Sequence, residues 1–308
     1  MGKSRPRSNL YAPRVWGTWM VVALGWLVAR LPLRAVVICG RGLGKLAYYA
    51  APARRHIADI NLHLCLPHLD DAGRAQLIRE IFQHVAVGAL ETAVTWLNPE
   101  RDLTSQVTIE GVEHLRLAQQ QQRGVLLLGG HFTSIDIVSQ AMSRQVDLDV
   151  MYRANKNPVW EWLQVRGRAR FHAAVVERDD TRTTLRRLKS GHTLWYAADQ
   201  DYGPKHSVFA PFFNVAAATI TAPARLARFN DSPTLFIEIS RDWDTLTWHV
   251  QISPPLAGYP SDDDVADAAR LNALVEAAIK RHPEQYLWIH RRFKTRPPGE
   301  RRPYEVGS

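Results

Sequence analysis

The chain has 308 residues, of which 46% are hydrophobic, so it can build one large domain or two small ones, and an intrinsically disordered chain is excluded. Its formal net charge of +9 favours an anionic partner: a nucleic acid, an anionic membrane surface, or an acidic or phosphorylated substrate. Its two cysteines, Cys39 and Cys65, exclude a disulfide framework and a CxxC-type metal site.

A basic leader, GKSRPR, precedes an uncharged apolar run over residues 15–29 that contains Trp16, Trp19 and Trp26. As a helix this run would be about 22 Å long, which is short of the ~30 Å hydrocarbon core of a bilayer. Tryptophans and flanking arginines suit the headgroup boundary. We therefore expect residues 1–40 to be a membrane anchor segment; a cleaved signal peptide and a buried core helix are the alternatives.

The rest of the chain, residues 41–308, is predicted to form one α/β domain. Residues 41–98 have helical periodicity, and residues 99–290 alternate between β-type and helical runs, which predicts a mostly parallel or mixed central sheet flanked by helices. The basic, proline-containing tail, 291–308, is expected to be loose. Strands are predicted at 107–109, 125–128, 148–152, 173–176, 194–198, 235–239 and 247–252, and core helices at 112–122, 134–144, 159–170, 181–190, 219–229 and 265–281.

The stretch GVLLLGGHFTSID, residues 124–136, contains an H-x4-D pair formed by His131 and Asp136. With 12 histidines and 30 acidic residues in 308 positions, roughly one H-x4-[DE] pair is expected by chance, and His172 with Glu177 is a second one. What distinguishes His131 is its position after an apolar strand and two glycines, where sites in α/β sheets commonly lie. The pair can meet only if His131 precedes the helix, because positions five apart lie roughly 140° around it.

A histidine that is hydrogen-bonded to a carboxylate is a positioned general base. The pattern G-x-S-x-G is absent, so direct attack by a substrate hydroxyl is favoured over an acyl-enzyme. The alternative is an ordinary turn histidine next to a capping aspartate. Metal ligation lacks a clear third ligand, and no cofactor is expected because P-loop and G-x-G-x-x-G patterns are missing.

Two further stretches follow predicted strands. YRANKNP, residues 152–158, leads into a helix with several arginines, which either bind phosphate or carboxylate groups or form a solvated basic face. DQDYGPKHSVFAPFF, residues 199–213, mixes carboxylates, a lysine and three phenylalanines, which fit a lipid with a polar head equally well as a plug at the edge of the core. Nucleic acid is disfavoured, because no zinc-finger or RNP-type motif is present and the basic residues are dispersed.

Five motifs together are similar to a known family. GGHFTSID, YRANKNP, DQDYGPKHSVFAPFF, the Ala218–Thr219 pair and the C-terminal PEQYLWIHRRFKTRP occur in one order along the chain. This set resembles the late acyltransferases of lipid A biosynthesis, the lauroyl/myristoyl transferase family of Gram-negative bacteria, over residues 11–297.

The resemblance implies a glycerolipid-acyltransferase-like α/β fold and an enzyme at the cytoplasmic face of the inner membrane. It implies transfer of an acyl chain from acyl carrier protein to a hydroxyl on a 3-hydroxyacyl chain of the Kdo-bearing lipid A precursor. Another membrane acceptor, such as a glycerophosphate, and a non-catalytic scaffold are the alternatives. By position His131 is the base and Asp136 its partner, where relatives often have glutamate; Asn214 stands where they commonly have glycine.

The expected substrate-binding residues complete the hypothesis. A backbone amide near Gly130 or the side chain of Arg153 would stabilise the oxyanion, and arginines would hold the phosphates of the acceptor. The full expected set is Gly130, Arg153, Asn157, Arg166, Arg168, Asp199, Asp201 and Lys205. The acidic acyl carrier protein would suit a chain of charge +9.

Overall fold

A seven-stranded, mostly parallel sheet forms the centre of the protein, and helices flank it; the computed structural model describes residues 10–305. The strand order is β1-β9-β8-β2-β5-β3-β4, in which the β8–β9 pair is antiparallel and the other neighbouring pairs are parallel. The strands are β1 (Val107–Glu110), β2 (Val125–Gly129), β3 (Asp149–Tyr152), β4 (Ala174–Glu177), β5 (Thr193–Ala197), β8 (Thr234–Asp242) and β9 (Thr247–Ile252).

Ten α-helices surround this sheet within the described part of the chain. Four precede the first strand and the others connect or follow strands, as expected for crossover connections between parallel neighbours. They are α1 (Trp16–Val28), α2 (Leu33–Ala50), α3 (Pro52–Cys65), α4 (Asp71–Leu97), α5 (Val112–Gln120), α6 (Ile135–Met142), α7 (Pro158–Arg168), α8 (Thr181–Lys189), α9 (Ala222–Asn230) and α10 (Asp264–Arg281).

The predicted α/β architecture is confirmed: all seven sheet strands and all six core helices lie within a few residues of their predicted positions. The sequence prediction missed a separate antiparallel hairpin, β6 (Ser207–Phe212) and β7 (Val215–Ile220). We predicted a loop there and began the following helix at 219, whereas α9 begins at Ala222. Hairpins of small residues such as VAAATI carry no clear period of two, which explains the miss.

The N-terminal helices carry exposed apolar faces. On α1, Trp16, Met20 and Leu24 are each more than 60% exposed, and they recur every four residues along one side of the helix. On α2, Ile38 and Leu46 are similarly exposed. No helix within residues 10–305 is both long and apolar enough to cross a membrane. The expected boundary at residue 40 lies inside α2, and the GKSRPR leader lies outside the described residues.

Part of the C-terminal tail is packed, at Arg292, Phe293 and Tyr304, whereas residues 298–302 are exposed, so the expectation of a loose tail is corrected in part. The Arg292 guanidinium is buried and donates to Ala218 O at 2.8 Å and to Thr219 Oγ1 at 3.0 Å. Phe293 is fully buried, and its amide donates to the Tyr304 hydroxyl at 3.0 Å. A run of charged residues suggested a solvated tail, but the aromatic and arginine side chains within it complete the core.

Candidate active site

The sheet register brings His131 next to Asp199. Strands β2 and β5 are parallel neighbours, and Gly129 is paired with Ala197. His131 and Asp199 each follow two residues beyond these partners, so they lie side by side at the carboxyl edge of the sheet. This is the edge at which α/β sheets commonly place a binding site.

The two side chains are in direct contact. His131 Nδ1 lies 2.5 Å from Asp199 Oδ1, and the backbone amide of His131 donates to Asp199 Oδ2 at 2.9 Å. The Asp199 carboxylate is fully buried, whereas the His131 side chain is 26% exposed. With Nδ1–H donating to the carboxylate, Nε2 of the neutral ring is left as a proton acceptor.

The electrostatics of Asp199 keep it ionised. Burial alone would raise the pKa of this carboxyl, but the charge of His131 and the two hydrogen bonds from that residue outweigh burial and hold its pKa well below the ordinary value. An ionised carboxylate at Nδ1 stabilises the imidazolium that forms when Nε2 takes a proton. The pair therefore has the geometry and the charge of a general base with its orienting carboxylate.

Asp136 has a different partner, which corrects the expected His131–Asp136 hydrogen bond. Its Oδ1 accepts from Arg168 Nε at 2.9 Å and its Oδ2 from Arg168 Nη2 at 3.3 Å, while Thr92 Oγ1 donates to Oδ2 at 3.3 Å. Asp136 lies in the first turn of α6 and Arg168 in the last turn of α7, the helix ends at which each charge is favoured. The five-residue spacing thus brings Asp136 to the site wall without pairing it with His131.

A cavity of about 360 Å³ opens at this edge of the sheet. One part of its wall is polar and includes both members of the Asp136–Arg168 ion pair, and another part is apolar. The lining residues are His131, Phe132, Thr133, Ile135, Asp136, Met151, Tyr152, Arg153, Gln164, Arg168, Arg178, Trp195, Ala197, Gln200 and Tyr202. A cavity with this mixture suits a substrate that has an apolar chain and a polar head.

Backbone hydrogen bonds from the C-terminal segment hold the turn that carries His131. Leu287 donates its amide to His131 O at 3.1 Å, and Thr133 donates its amide to Gln285 O at 3.0 Å. The Gln285 side chain in turn accepts from the Arg241 amide at 2.8 Å and donates to Arg241 O at 2.9 Å. The PEQYLW segment is therefore structural support for the turn.

A buried ion pair lies behind the same turn. Arg241 Nη1 is 2.8 Å from Glu91 Oε2 and donates to Ser134 Oγ at 3.1 Å, and both charged side chains are almost completely buried. Gly88 on α4 is required for this packing, since a Cβ there would lie 2.2 Å from Thr133 O. Helix α4 and strand β8 thus clamp residues 131–134 from two sides.

Several residues expected to bind substrate have their polar atoms engaged elsewhere. Asn157 caps α7 by accepting from the Val159 and Trp160 amides, and its Nδ2 donates to Thr18 Oγ1 at 2.8 Å. The buried Asp201 accepts from the Thr295 amide at 2.7 Å and so holds the C-terminal tail. Both side chains make these hydrogen bonds within the protein, and neither belongs to the lining of the cavity.

The other expected residues divide between the cavity and the surface. Arg153 and Arg168, from the YRANKNP stretch and the helix that follows it, line the cavity. Arg166 lies outside the cavity lining, with its guanidinium over the Trp162 ring, and Lys205 is an exposed residue outside the lining. A Cβ at Gly130 would lie 3.1 Å from the Phe132 ring, so glycine permits close packing there.

Two of the three phenylalanines of the DQDYGPKHSVFAPFF stretch belong to the core. Phe212 and Phe213 are buried in the main core cluster, so they plug the core and do not line the cavity. Asn214 follows them with φ of 62° in the β6–β7 turn. Asparagine tolerates this left-handed conformation better than other non-glycine residues, so it fits where relatives commonly have glycine.

The predicted site residues did not include several polar residues of the cavity lining, among them Gln164, Arg178, Gln200 and Tyr202. Arg178 directly follows β4, and Gln200 and Tyr202 follow β5. The signal that could have found Arg178 is its position two residues beyond the predicted strand 173–176, since His131 and Arg153 were likewise selected because they closely follow predicted strands.

Comparison with known proteins identifies the family of the chain. The sequence family described as bacterial lipid A biosynthesis acyltransferase matches residues 5–295. The lipid A biosynthesis lauroyltransferase of Escherichia coli K12 is 38% identical over 291 residues, covering 94% of this chain and 95% of that relative. The palmitoleoyltransferase of the same organism is 38% identical over 94% of each chain, and its myristoyltransferase is 30% identical over 95% of this chain and 91% of that relative.

An acyltransferase is the class of protein that this fold and these relatives define. The chain belongs to the bacterial lipid A biosynthesis acyltransferase family, because the match covers nearly its whole length. This confirms the family resemblance drawn from the five sequence motifs.

Proposed function

We propose that the protein transfers a fatty acyl chain from acyl carrier protein to a hydroxyl of a 3-hydroxyacyl chain on the Kdo-bearing lipid A precursor, with His131 as the general base. The observation that carries this proposal is the contact between His131 Nδ1 and the buried Asp199 carboxylate beside an amphipathic cavity. The names of the relatives, which describe lauroyl, palmitoleoyl and myristoyl transfer in lipid A biosynthesis, supply the substrate class.

The proposed reaction moves one proton from the acceptor hydroxyl to His131, and from His131 to the leaving thiolate. Nε2 of His131 takes the proton of the acceptor hydroxyl as its oxygen attacks the thioester carbonyl. The tetrahedral intermediate then collapses, the carbon–sulfur bond breaks, and the thiolate of the carrier leaves with the proton from the imidazolium. The ionised Asp199 stabilises that imidazolium throughout. No enzyme nucleophile is needed, so the acyl group passes directly from sulfur to oxygen.

Arg168 is the best-placed cation for the developing oxyanion. Asp136 occupies its Nε and Nη2 and so fixes the guanidinium against the cavity wall, while Nη1 takes no part in this ion pair. The amides of His131, Phe132 and Thr133, which are the other donors near Gly130, are engaged with Asp199, Gly130 O and Gln285 O. The proposed role of Asp136 is therefore to position Arg168, a role that a glutamate of suitable reach can also fill.

The exposed faces of α1 and α2 are the proposed membrane attachment. Both carry large exposed apolar side chains, to which α2 adds the exposed Lys45, and the Arg30 guanidinium lies 3.4 Å from the Trp26 ring centroid, a pairing that suits the headgroup boundary. Helix α1 also touches α7, through the Thr18–Asn157 hydrogen bond and the Trp19 and Trp162 rings at 5.7 Å. Since α7 supplies Gln164 and Arg168 to the cavity, the proposed lipid-facing surface adjoins the cavity wall.

The test is acyl transfer by the detergent-solubilised protein. Lauroyl, myristoyl and palmitoleoyl thioesters of acyl carrier protein are incubated with the Kdo-bearing lipid A precursor, and products are read by mass spectrometry. We expect a product heavier by one acyl group, and we expect His131→Ala to lower the rate roughly 10²–10⁴-fold. Absence of this product with the wild-type protein, while a glycerophosphate acceptor is acylated, would replace the lipid A acceptor by the alternative one.

A further inference from the structure

Helices α8 and α9 lie side by side and carry charges of one sign. Their sequences, TRTTLRRLK and APARLARFN, contain arginines and a lysine but no acidic residue. The acidic residues that directly flank them are engaged: the Asp180 side chain accepts from the Thr183 amide, and Asp231 pairs with Arg123. The two helices therefore present a positively charged surface.

Four cations of this surface are exposed, and none of them makes an ion pair within residues 10–305. On α8 they are Arg182, Arg186 and Lys189, whose spacing of four and then three positions places them on one side of the helix. On α9 the exposed cation is Arg225. Arg187 of α8 differs, because it is paired with a buried carboxylate. The four exposed cations are thus available to a partner.

An exposed aromatic ring lies among these cations. Phe229 is 56% exposed, and Lys189 Nζ lies 4.8 Å from its ring centroid. Arg225 precedes Phe229 by one turn of α9, so both lie on the same side of that helix. Protein interfaces commonly surround an aromatic anchor with a polar rim. We call this surface the α8–α9 face; its residues are Arg182, Arg186, Lys189, Arg225 and Phe229.

The α8–α9 face begins at the rim of the cavity. Arg178 belongs to the cavity lining, and α8 starts three positions later, at Thr181. Helix α8 leads from the carboxyl end of β4 back to the amino end of β5, so it extends roughly 13 Å from that rim. A partner that docks on this face can therefore deliver a tethered group into the cavity.

The α8–α9 face and the end of α1 lie on opposite sides of the sheet. Leu126 belongs to the core cluster that contains Leu188 of α8 and Leu226 of α9. The next residue of β2, Leu127, points to the other side of the sheet and belongs to the cluster that contains Ala29, which follows α1. The α8–α9 face is thus separated from the α1 part of the proposed membrane attachment, which favours a water-soluble partner.

We propose that the α8–α9 face is the docking site for acyl carrier protein. The inference rests on the proposed function and deepens it by naming the surface that receives the donor. The carrier is acidic, so its carboxylates complement cations that have no ion-pair partner of their own. Its tethered thioester enters the cavity from the α8 end. An anionic membrane surface is the other class of partner for a basic face, and the experiment distinguishes the two.

The test reverses charge on this face, and a matched variant reverses it elsewhere. The face variant is Arg182→Glu with Arg186→Glu. The control variant is Arg116→Glu with Arg301→Glu, which changes two exposed arginines, one on α5 and one in the C-terminal tail. Both double variants change the net charge by the same amount. Initial rates with the lipid A precursor are measured for two donors, lauroyl-acyl carrier protein and lauroyl-pantetheine, which lacks the protein.

We expect the face variant to raise KM for lauroyl-acyl carrier protein about tenfold or more, with kcat changed less than about threefold, because docking is lost and the chemistry is kept. The control variant should keep the wild-type KM. The ratio kcat/KM for lauroyl-pantetheine should be the same in all three proteins. Equal KM for the carrier thioester in the two double variants overturns the docking site, and so does an equal loss with both donors.

Binding of the carrier itself needs no acyl transfer. In surface plasmon resonance, the wild type and the control variant should bind holo-acyl carrier protein with an affinity that falls as salt is added. The face variant should bind about tenfold more weakly or worse. Arg182→Lys with Arg186→Lys keeps the charge and should bind within about threefold of the wild type. Equal affinity of the face and control variants overturns the docking site.

Two further outcomes separate the possible failures. Loss of binding to phosphatidylglycerol liposomes by the face variant, with unchanged affinity for the carrier, overturns the docking site and assigns the face to the membrane. A wild type that binds the carrier through this face but acylates no lipid A precursor overturns the acceptor of the proposed function and supports the docking site.

Discussion

His131 and Asp199 are 68 positions apart in the chain, yet the register of two parallel strands makes them neighbours. Asp136, five positions from His131, instead fixes Arg168. Proximity in sequence therefore identified a residue of the site but gave it the wrong partner. The carboxylate that contacts His131 Nδ1 is that of Asp199, at a distance of 2.5 Å.

The contact predicts the effect of neutralising Asp199. Asp199→Asn keeps the size of the side chain but removes the charge that stabilises the imidazolium, so we expect kcat to fall roughly 10²–10⁴-fold with little change in KM. Initial rates with a thioester of acyl carrier protein provide the measurement. The exposed Asp179→Asn is the control and should retain wild-type kcat.

A double variant tests whether His131 and Asp199 act as one unit or independently. Groups that act as one unit are not additive, so His131→Ala with Asp199→Asn should be no slower than His131→Ala alone. If the losses multiply instead, Asp199 acts independently of His131 and the assignment of the pair is wrong.

At the scale of elements, the site depends on supports that come from distant parts of the chain. The turn at residues 131–134 is held by α4, by the end of β8 and by the segment around Gln285. The five motifs of the sequence therefore do different jobs. One carries His131, one carries the Asp199 carboxylate that contacts it, and the PEQYLW motif holds the turn at residues 131–134.

The buried Glu91–Arg241 pair predicts a large loss of stability. Glu91→Ala leaves the Arg241 guanidinium buried without its counter-charge, so we expect the free energy of unfolding to fall by about 3–5 kcal/mol. Glu305→Ala breaks an exposed pair with Arg302 and should cost at most about 1 kcal/mol. Urea unfolding of the two variants in detergent gives the comparison. Similar small losses in both would show that Arg241 is satisfied by its neutral neighbours.

The apolar faces of α1 and α2 predict a specific effect on membrane binding. Leu24→Glu combined with Leu46→Glu puts two charges on these faces, and we expect the protein to shift from the lipid fraction to the soluble fraction in liposome flotation. Leu117→Glu on α5 is the matched control, since Leu117 is 59% exposed but lies outside both faces. Release by the control to the same extent would mean that general charge, and not these faces, decides attachment.

At the scale of the whole molecule, buried histidines link stability to pH. Burial, partly opposed by the Asp136 charge, lowers the pKa of His172 from 6.5 to about 4, and burial together with the Arg241 charge lowers that of His84 to about 2. In the unfolded chain these groups titrate near 6.5, so between the folded and unfolded values the unfolded chain binds more protons. Stability is therefore complete above about pH 6.5 and decreases as the pH falls toward 4.

His172→Gln tests this linkage. The substitution removes one titrating group, so the free energy of unfolding should depend on pH less steeply between 6.5 and 4, by up to about 3 kcal/mol over the window. The exposed His68→Gln should leave the slope unchanged. Urea unfolding of both variants at a series of pH values is the measurement, and identical slopes in all three proteins would contradict the buried, neutral state of His172.

The sequence by itself determined the order and type of the elements of the sheet core, the family, and the position of His131, the proposed base. Apolar strands, helical periodicity and a histidine after two glycines can be recognised in the sequence because each depends only on residues that are close together in the chain. Tertiary structure alone decided that Asp199 orients His131, that Asp136 holds Arg168, and that Arg178 enters the cavity. These contacts depend on strand order and register, which arise from the packing of the whole sheet and leave no fixed spacing in the chain.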